Sequence, residues 1–354
     1  MKKTILGFAA LALVFTSCDT DKNEMDQEQT KIDMSDFFVH TDSDNGEQAR
    51  NGFTQCYSMT NLNRLLEEDP QLYQKMYNIE YDTRKFVANA YRPGNGNGNG
   101  NGGGTDGGDG GDGGTTDNLG VITIPVYVHV VYANSQQNIS STQINSQMTI
   151  LNEDFRATNN DVNQVPSEFA GVVADSEIQF TLAGTFRYAD SRSSWGTSDA
   201  VKFAYPPITP QTHLNIWVCN IGGGILGYAQ FPGGSLATDG IVVSPQYFGN
   251  TGFVSAPFDG GRTTTHEVGH YLNLRHIWGD GRCNRDDFVS DTPKSDAPNY
   301  GCPSYPTVNC RSNDMTMNYM DYVNDDCMYM FSEGQKARMR SIFQSGGPRA
   351  AMAN

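Results

Sequence analysis

The chain has 354 residues and a formal net charge of −16, from 24 basic and 40 acidic residues, with a pI near 4.6. So acidic a balance argues against nucleic acid as a partner, because phosphate binding needs basic surface. The length allows two or three modest domains, and 38 glycines are too many for a coiled coil.

Met1, Lys2 and Lys3 precede an apolar run, Ile5 to Phe15, too short to span a bilayer and suited to a signal peptide. With Thr16, Ser17 and Cys18 the segment resembles a bacterial lipoprotein signal: residues 1–17 are removed and Cys18 carries the lipid. The alternative is an ordinary secretory signal with an incidental cysteine. The protein is expected to be exported and held at the outer membrane or cell surface by lipid alone, with release after processing left open. Residues 19–50 hold ten acids and three bases. Segment 18–50 therefore reads as a solvated, lipid-anchored acidic tether.

Residues 51–92 read as helical. Asp69-Pro70 is a helix start, and Leu72, Met76, Ile79, Thr83, Phe86 and Ala90 then recur at three- and four-residue steps. Such a helical segment is too small to fold alone and should dock elsewhere. Residues 93–118, with the run Asn95-Gly-Asn-Gly-Asn-Gly, read as a flexible linker. From Leu119 to Asn354 the composition is globular. Strands are predicted over Val121–Tyr132, Ile178–Phe186, Leu214–Cys219, Leu226–Phe231 and Ile241–Ser244, and a helix over Ser141–Thr158. A strand, a helix and then several strands suggest an α/β layer, a twisted sheet with helices packed on it.

Residues 264–276 read Thr-Thr-His-Glu-Val-Gly-His-Tyr-Leu-Asn-Leu-Arg-His. His266 and His270 are four apart, so on a helix both imidazoles share one face and can share one ion. Glu267 beside them is placed to act as a general base. His276 lies six residues further on, about 600° of ideal helix, and can join them only if the helix breaks first. Asn273 is the natural break, since asparagine accepts a positive φ. Three of the chain's six histidines fall in these 11 residues. Three imidazoles that leave a fourth position open make a catalytic metal site, zinc before cobalt or nickel.

With these residues the chain resembles the metzincin metallopeptidases, whose motif is H-E-x-x-H-x-x-G-x-x-H followed by a Met-turn. Asn273 stands where that family has glycine. Asn318-Tyr319-Met320-Asp321-Tyr322 is similar to the Met-turn; the resemblance implies Met320 as an apolar floor and Tyr322 as an oxyanion donor. His276-Ile-Trp-Gly-Asp-Gly-Arg-Cys283, Asp286-Asp287-Phe-Val289-Ser-Asp291-Thr292-Pro293, Asn215-Ile-Trp-Val-Cys219 and Leu226-Gly-Tyr-Ala-Gln-Phe-Pro narrow the likeness to the pappalysin (M43, cytophagalysin) branch, over residues 119–345. That branch implies an α/β (α+β) metzincin-like catalytic domain with a twisted mixed sheet, an active-site helix and a disulfide-stapled C-terminal subdomain, preceded by a small helical pro-segment.

Cys283, Cys302, Cys310 and Cys327 allow three pairings; the resemblance implies Cys283–Cys310 and Cys302–Cys327, with a structural zinc as the alternative. It also implies calcium at Asp286, Asp287, Val289 and Thr292. Cys56 is a candidate zinc ligand in a latent form, against a Cys56–Cys219 disulfide or an idle thiol. An extended substrate is expected along Gly227, Tyr228, Ala229, Gln230 and Phe231, as an edge strand. The function implied is a zinc endopeptidase acting on proteins or peptides, made as a zymogen and monomeric. The rivals are a catalytically silent surface-binding lipoprotein, against which Glu267 argues, and an aminopeptidase.

Overall fold

The structure is a computed structural model describing residues 31–41, 54–90 and 117–353. The expected signal peptide, Cys18 and linker residues 93–116 lie outside these. The elements in chain order are β1 (Thr54–Cys56), α1 (Ser58–Glu68), α2 (Leu72–Ala90), β2 (Ile122–Tyr132), α3 (Ser141–Phe155), β3 (Ile178–Ala189), α4 (Ala200–Ala204), β4 (Leu214–Val218), β5 (Ile225–Ala229), β6 (Ile241–Val243), α5 (Arg262–Tyr271), β7 (Val308–Asn309), β8 (Ser312–Asn313) and α6 (Glu333–Ser341).

Six strands form a mixed sheet in the order β1-β5-β6-β4-β2-β3. β2 pairs in parallel with β3 and β4, and β4 with β6; β5 runs antiparallel to β6. The β-branched β2 is flanked by β3 and β4, and Ile122, Ile124, Val126 and Val128 are buried on one face. That face packs on α3 and α5 in the main core; Trp217, Tyr228, Val131 and Val242 form a smaller cluster on the other. Ser140 caps α3, accepting from Gln143 N at 3.1 Å. All five predicted strands of the globular region form, with ends shifted by up to three residues.

The segment before the linker differs from its all-helical reading, because Thr54–Cys56 extends and pairs in parallel with β5. Three residues carry too little periodicity to mark a strand; the free edge of β5 supplies the hydrogen bonds. The helix predicted from Pro70 begins at Leu72, with Asp69 Oδ1 accepting from Gln71 N at 2.9 Å. As expected of a segment too small to fold alone, α2 docks, here on α6. Part of the acidic tether also packs: Val39 is buried, and Phe38 and Phe288 lie edge to face with ring centroids 5.2 Å apart. Aromatic residues at 37 and 38 offset the charge of their neighbours. The C-terminal region carries the bridges Cys283–Cys310 and Cys302–Cys327. Among the described residues no helix is long and apolar enough to cross a membrane.

Candidate metal centre

Helix α5 is buried along its whole length. Thr264 donates to Gln147 Oε1 and Thr265 to Asp154 Oδ2, both at 2.7 Å, which fixes its rotation against α3. The helix ends in a Schellman motif: Leu274 N bonds Gly269 O at 2.9 Å and Asn273 N bonds His270 O at 3.0 Å. Asn273 takes φ +76°, the left-handed conformation its position requires. The chain then reverses and brings His276 back to the helix.

The three rings converge. His270 Nε2 lies 3.1 Å from both His266 Nε2 and His276 Nε2. Each Nδ1 is held from behind: His266 by Tyr319 O at 2.7 Å, His270 by Leu274 O at 2.9 Å, and His276 by the Asp280 carboxylate. A carbonyl oxygen only accepts, so His266 and His270 carry their proton on Nδ1 and turn an Nε2 lone pair inward. Burial, then the neighbouring His276, holds His266 down at about 3, and His270 is likewise held well below the usual range, so both rings are neutral. Lone pairs facing one another at 3.1 Å repel unless a cation lies between them. Zinc–nitrogen bonds of about 2.0–2.1 Å would set tetrahedral N···N edges of about 3.3 Å, close to the distances seen. The donor set fits zinc.

Met320 is buried against α5, where a Cβ on Gly269 would overlap its sulfur. Its turn is held by Asn318, whose side chain exchanges two hydrogen bonds with Gln335 of α6 at 2.9 and 3.0 Å. The Tyr322 ring lies 4.8 Å from the His276 ring, centroid to centroid.

Residues 209–344 match the model of the Peptidase_M43 family, described as Pregnancy-associated plasma protein-A. An extracellular metalloprotease of Pyricularia oryzae is 33% identical over 236 residues, 63% of this chain and 75% of that protein.

The chain belongs to the M43 metallopeptidase family.

Among solved structures, mature mirolysin of Tannerella forsythia in complex with a cleaved peptide is 45% identical, with a TM-score of 0.64, and covers 66% of this chain and 96% of that one. A promirolysin mutant of the same species is 38% identical, with a TM-score of 0.71, and covers 84% of this chain and 96% of that one. The share of this chain that is matched is larger against the pro-form.

In this M43 chain the segment before the linker enters the centre. Cys56 and the three histidines place one ligand atom each within 4.8 Å of one another. Tyr322 donates to Cys56 O at 3.4 Å. Cys219 is a separate buried thiol, and burial raises its pKa.

Glu267 lies under β5. A Cβ on Gly227 would stand 2.9 Å from Glu267 Cγ, so this strand position has room only for glycine. Burial pushes the Glu267 carboxyl up to about 8, against hydrogen bonds from Ser58 and Cys56 that draw it down. Of the expected substrate stretch, Tyr228 turns its side chain into the far cluster and Gln230 uses its own to hold Ser235 O and Thr238, so the strand meets the cleft chiefly through its backbone. Phe231 packs on His270, with ring centroids 5.2 Å apart.

The expected calcium ligands lie together. Thr292 Oγ1 is 2.8 Å from Asp287 Oδ2 and 2.9 Å from Val289 O, and Asp286 pairs with Lys294 at 3.0 Å. Burial, then Asp286 beside it, raises Asp287 well above the carboxylate range.

The sequence reading missed Asp280, Ser58 and the Tyr319 and Leu274 carbonyls. Asp280 had a signal, an acid four residues after a ligand histidine. The carbonyls had none, since any residue supplies one.

Proposed function

We propose that this protein is a zinc endopeptidase of metzincin type, exported as a zymogen, that hydrolyses extended polypeptides. The observation that carries the proposal is the convergence of three inward-facing Nε2 atoms beside a buried glutamate. His266, His270 and His276 would hold the zinc, whose chemistry when bound is to polarise the scissile carbonyl and acidify an attacking water. Glu267 takes the water's proton and hands it to the leaving amine. Tyr322, freed from Cys56 O, donates its hydroxyl to the developing oxyanion. Gly227 and Ala229 offer backbone groups to an extended peptide.

Latency follows from Cys56. The Cys56 thiolate would help the three histidines hold the zinc and would keep water from it; cleavage in the 93–118 linker would release the thiolate. The longer match to the pro-form of mirolysin supports this reading. We further assign calcium to Asp286, Asp287, Val289 and Thr292, and a lipid anchor to Cys18 that carries the enzyme to the outer membrane or cell surface.

The test is casein cleavage by the processed protein, with metal analysis, beside a Glu267→Gln variant. The parent should cleave casein and the variant should not, while both bind one zinc. Cleavage by Glu267→Gln at the parental rate, or preference for short amino-terminal reporter substrates, would overturn the assignment.

A further inference from the structure

Ser58, two residues beyond Cys56, is fully buried at the start of α1. Its hydroxyl lies 2.6 Å from Glu267 Oε2 and 2.7 Å from the backbone nitrogen of Ala229. The Ala229 N–H can only donate, so the hydroxyl accepts there and its single proton points to the glutamate. Cys56 Sγ sits 3.6 Å from the same carboxylate oxygen, and Ser58 N donates to that sulfur at 3.3 Å. One short stretch of chain thus touches the metal position, the base, Tyr322 and the edge strand together.

We propose that Ser58 is a second lock on the active site, engaging the base while Cys56 engages the metal. Its hydroxyl occupies the place on Glu267 that an attacking water would take. From Ala229 it takes the hydrogen bond that an extended substrate's carbonyl would accept. Latency then does not depend on the thiol alone: a pro-segment whose thiol leaves the metal still has its base capped and its edge strand covered. The inference rests on the latency reading of Cys56 and adds a residue to it.

The test is the rate of Cys56 alkylation by iodoacetamide in the intact, zinc-loaded full chain, mapped on the Cys56 peptide by mass spectrometry. Four chains are compared: parent, Ser58→Ala, Glu267→Ala and the double variant. Ser58→Ala should speed labelling about threefold to tenfold in the parent, the range for one buried hydrogen bond. In the Glu267→Ala background the same change should give a clearly smaller acceleration, because only the hydrogen bond from Ala229 N is left to lose. Equal acceleration in both backgrounds, or none in either, overturns the proposal while leaving the Cys56 switch intact. Labelling of the parent as fast as in denaturant overturns the switch itself. Should Ser58→Ala fail to fold, Ser58→Thr and Ser58→Val carry the comparison, since they match in shape and differ in the hydroxyl; Val alone should open the chain.

Discussion

Glu80 of α2 is 3% exposed and bonds Arg338 of α6 at 2.8 and 3.1 Å and Arg84 at 2.8 Å. Burial alone would raise its carboxyl; the Arg338 charge, with hydrogen bonds from Arg338 and Arg84, instead holds it at about 2, against an ordinary 4.5. That difference is worth roughly 3 kcal/mol in all, an upper bound on docking free energy, because Arg84 lies on α2 and leaves with Glu80. Breaking a buried pair from one side costs about 3–5 kcal/mol, a consistent figure. Glu80→Gln keeps the shape, removes the charge and leaves Arg338 buried beside Arg275 without its carboxylate. Only the docked form suffers, since Arg338 gains solvent once α2 leaves. The variant should lower the calorimetric midpoint of the full chain and open the pro-segment about a hundredfold more often, read as faster appearance of activity. The sign with pH follows from the depressed carboxylate. Its contribution is complete above 4.5 and fades as pH falls toward 2, so the gap between parent and variant should close over that window. A variant as stable and as latent as the parent at pH 7, or a gap unchanged at pH 2, would refute the reasoning.

Gly227→Ala would set a Cβ 3.0 Å from Glu267 Oε1 and 3.1 Å from Val242 O. The strand is paired to β6 and cannot retreat, so the base moves; kcat on a fluorogenic peptide should fall about a hundredfold at unchanged zinc content. Asp280→Ala removes the partner of His276 Nδ1 and should weaken zinc binding about tenfold to a hundredfold in a chelator competition titration. Chelation leaves three buried, mutually facing lone pairs, so the thermal midpoint should drop and recover with zinc but not with magnesium.

Much of the site was legible because its ligands are local. His266 and His270 share a helix face by spacing, and Asn273 supplies the left-handed residue that turns His276 back. The strands of the globular region were legible from β-branched runs such as Ile122–Tyr132. The second row of contacts was not. Tyr319 O, which orients His266, comes from 53 residues away, and Asp154 holds both Thr265 of α5 and Tyr319.

What the chain settles by itself is what short-range geometry can settle: helix periodicity, a break at an asparagine, and imidazoles placed on one face. The direction of each ring's lone pair, and the meeting of Cys56 and Ser58 with the three histidines and Glu267, were decided by tertiary packing. Thr54–Cys56 has no strand signal of its own. It extends because β5 offers an unpaired row of N–H and C=O groups, and no local pattern reveals which distant segment will fill such an edge.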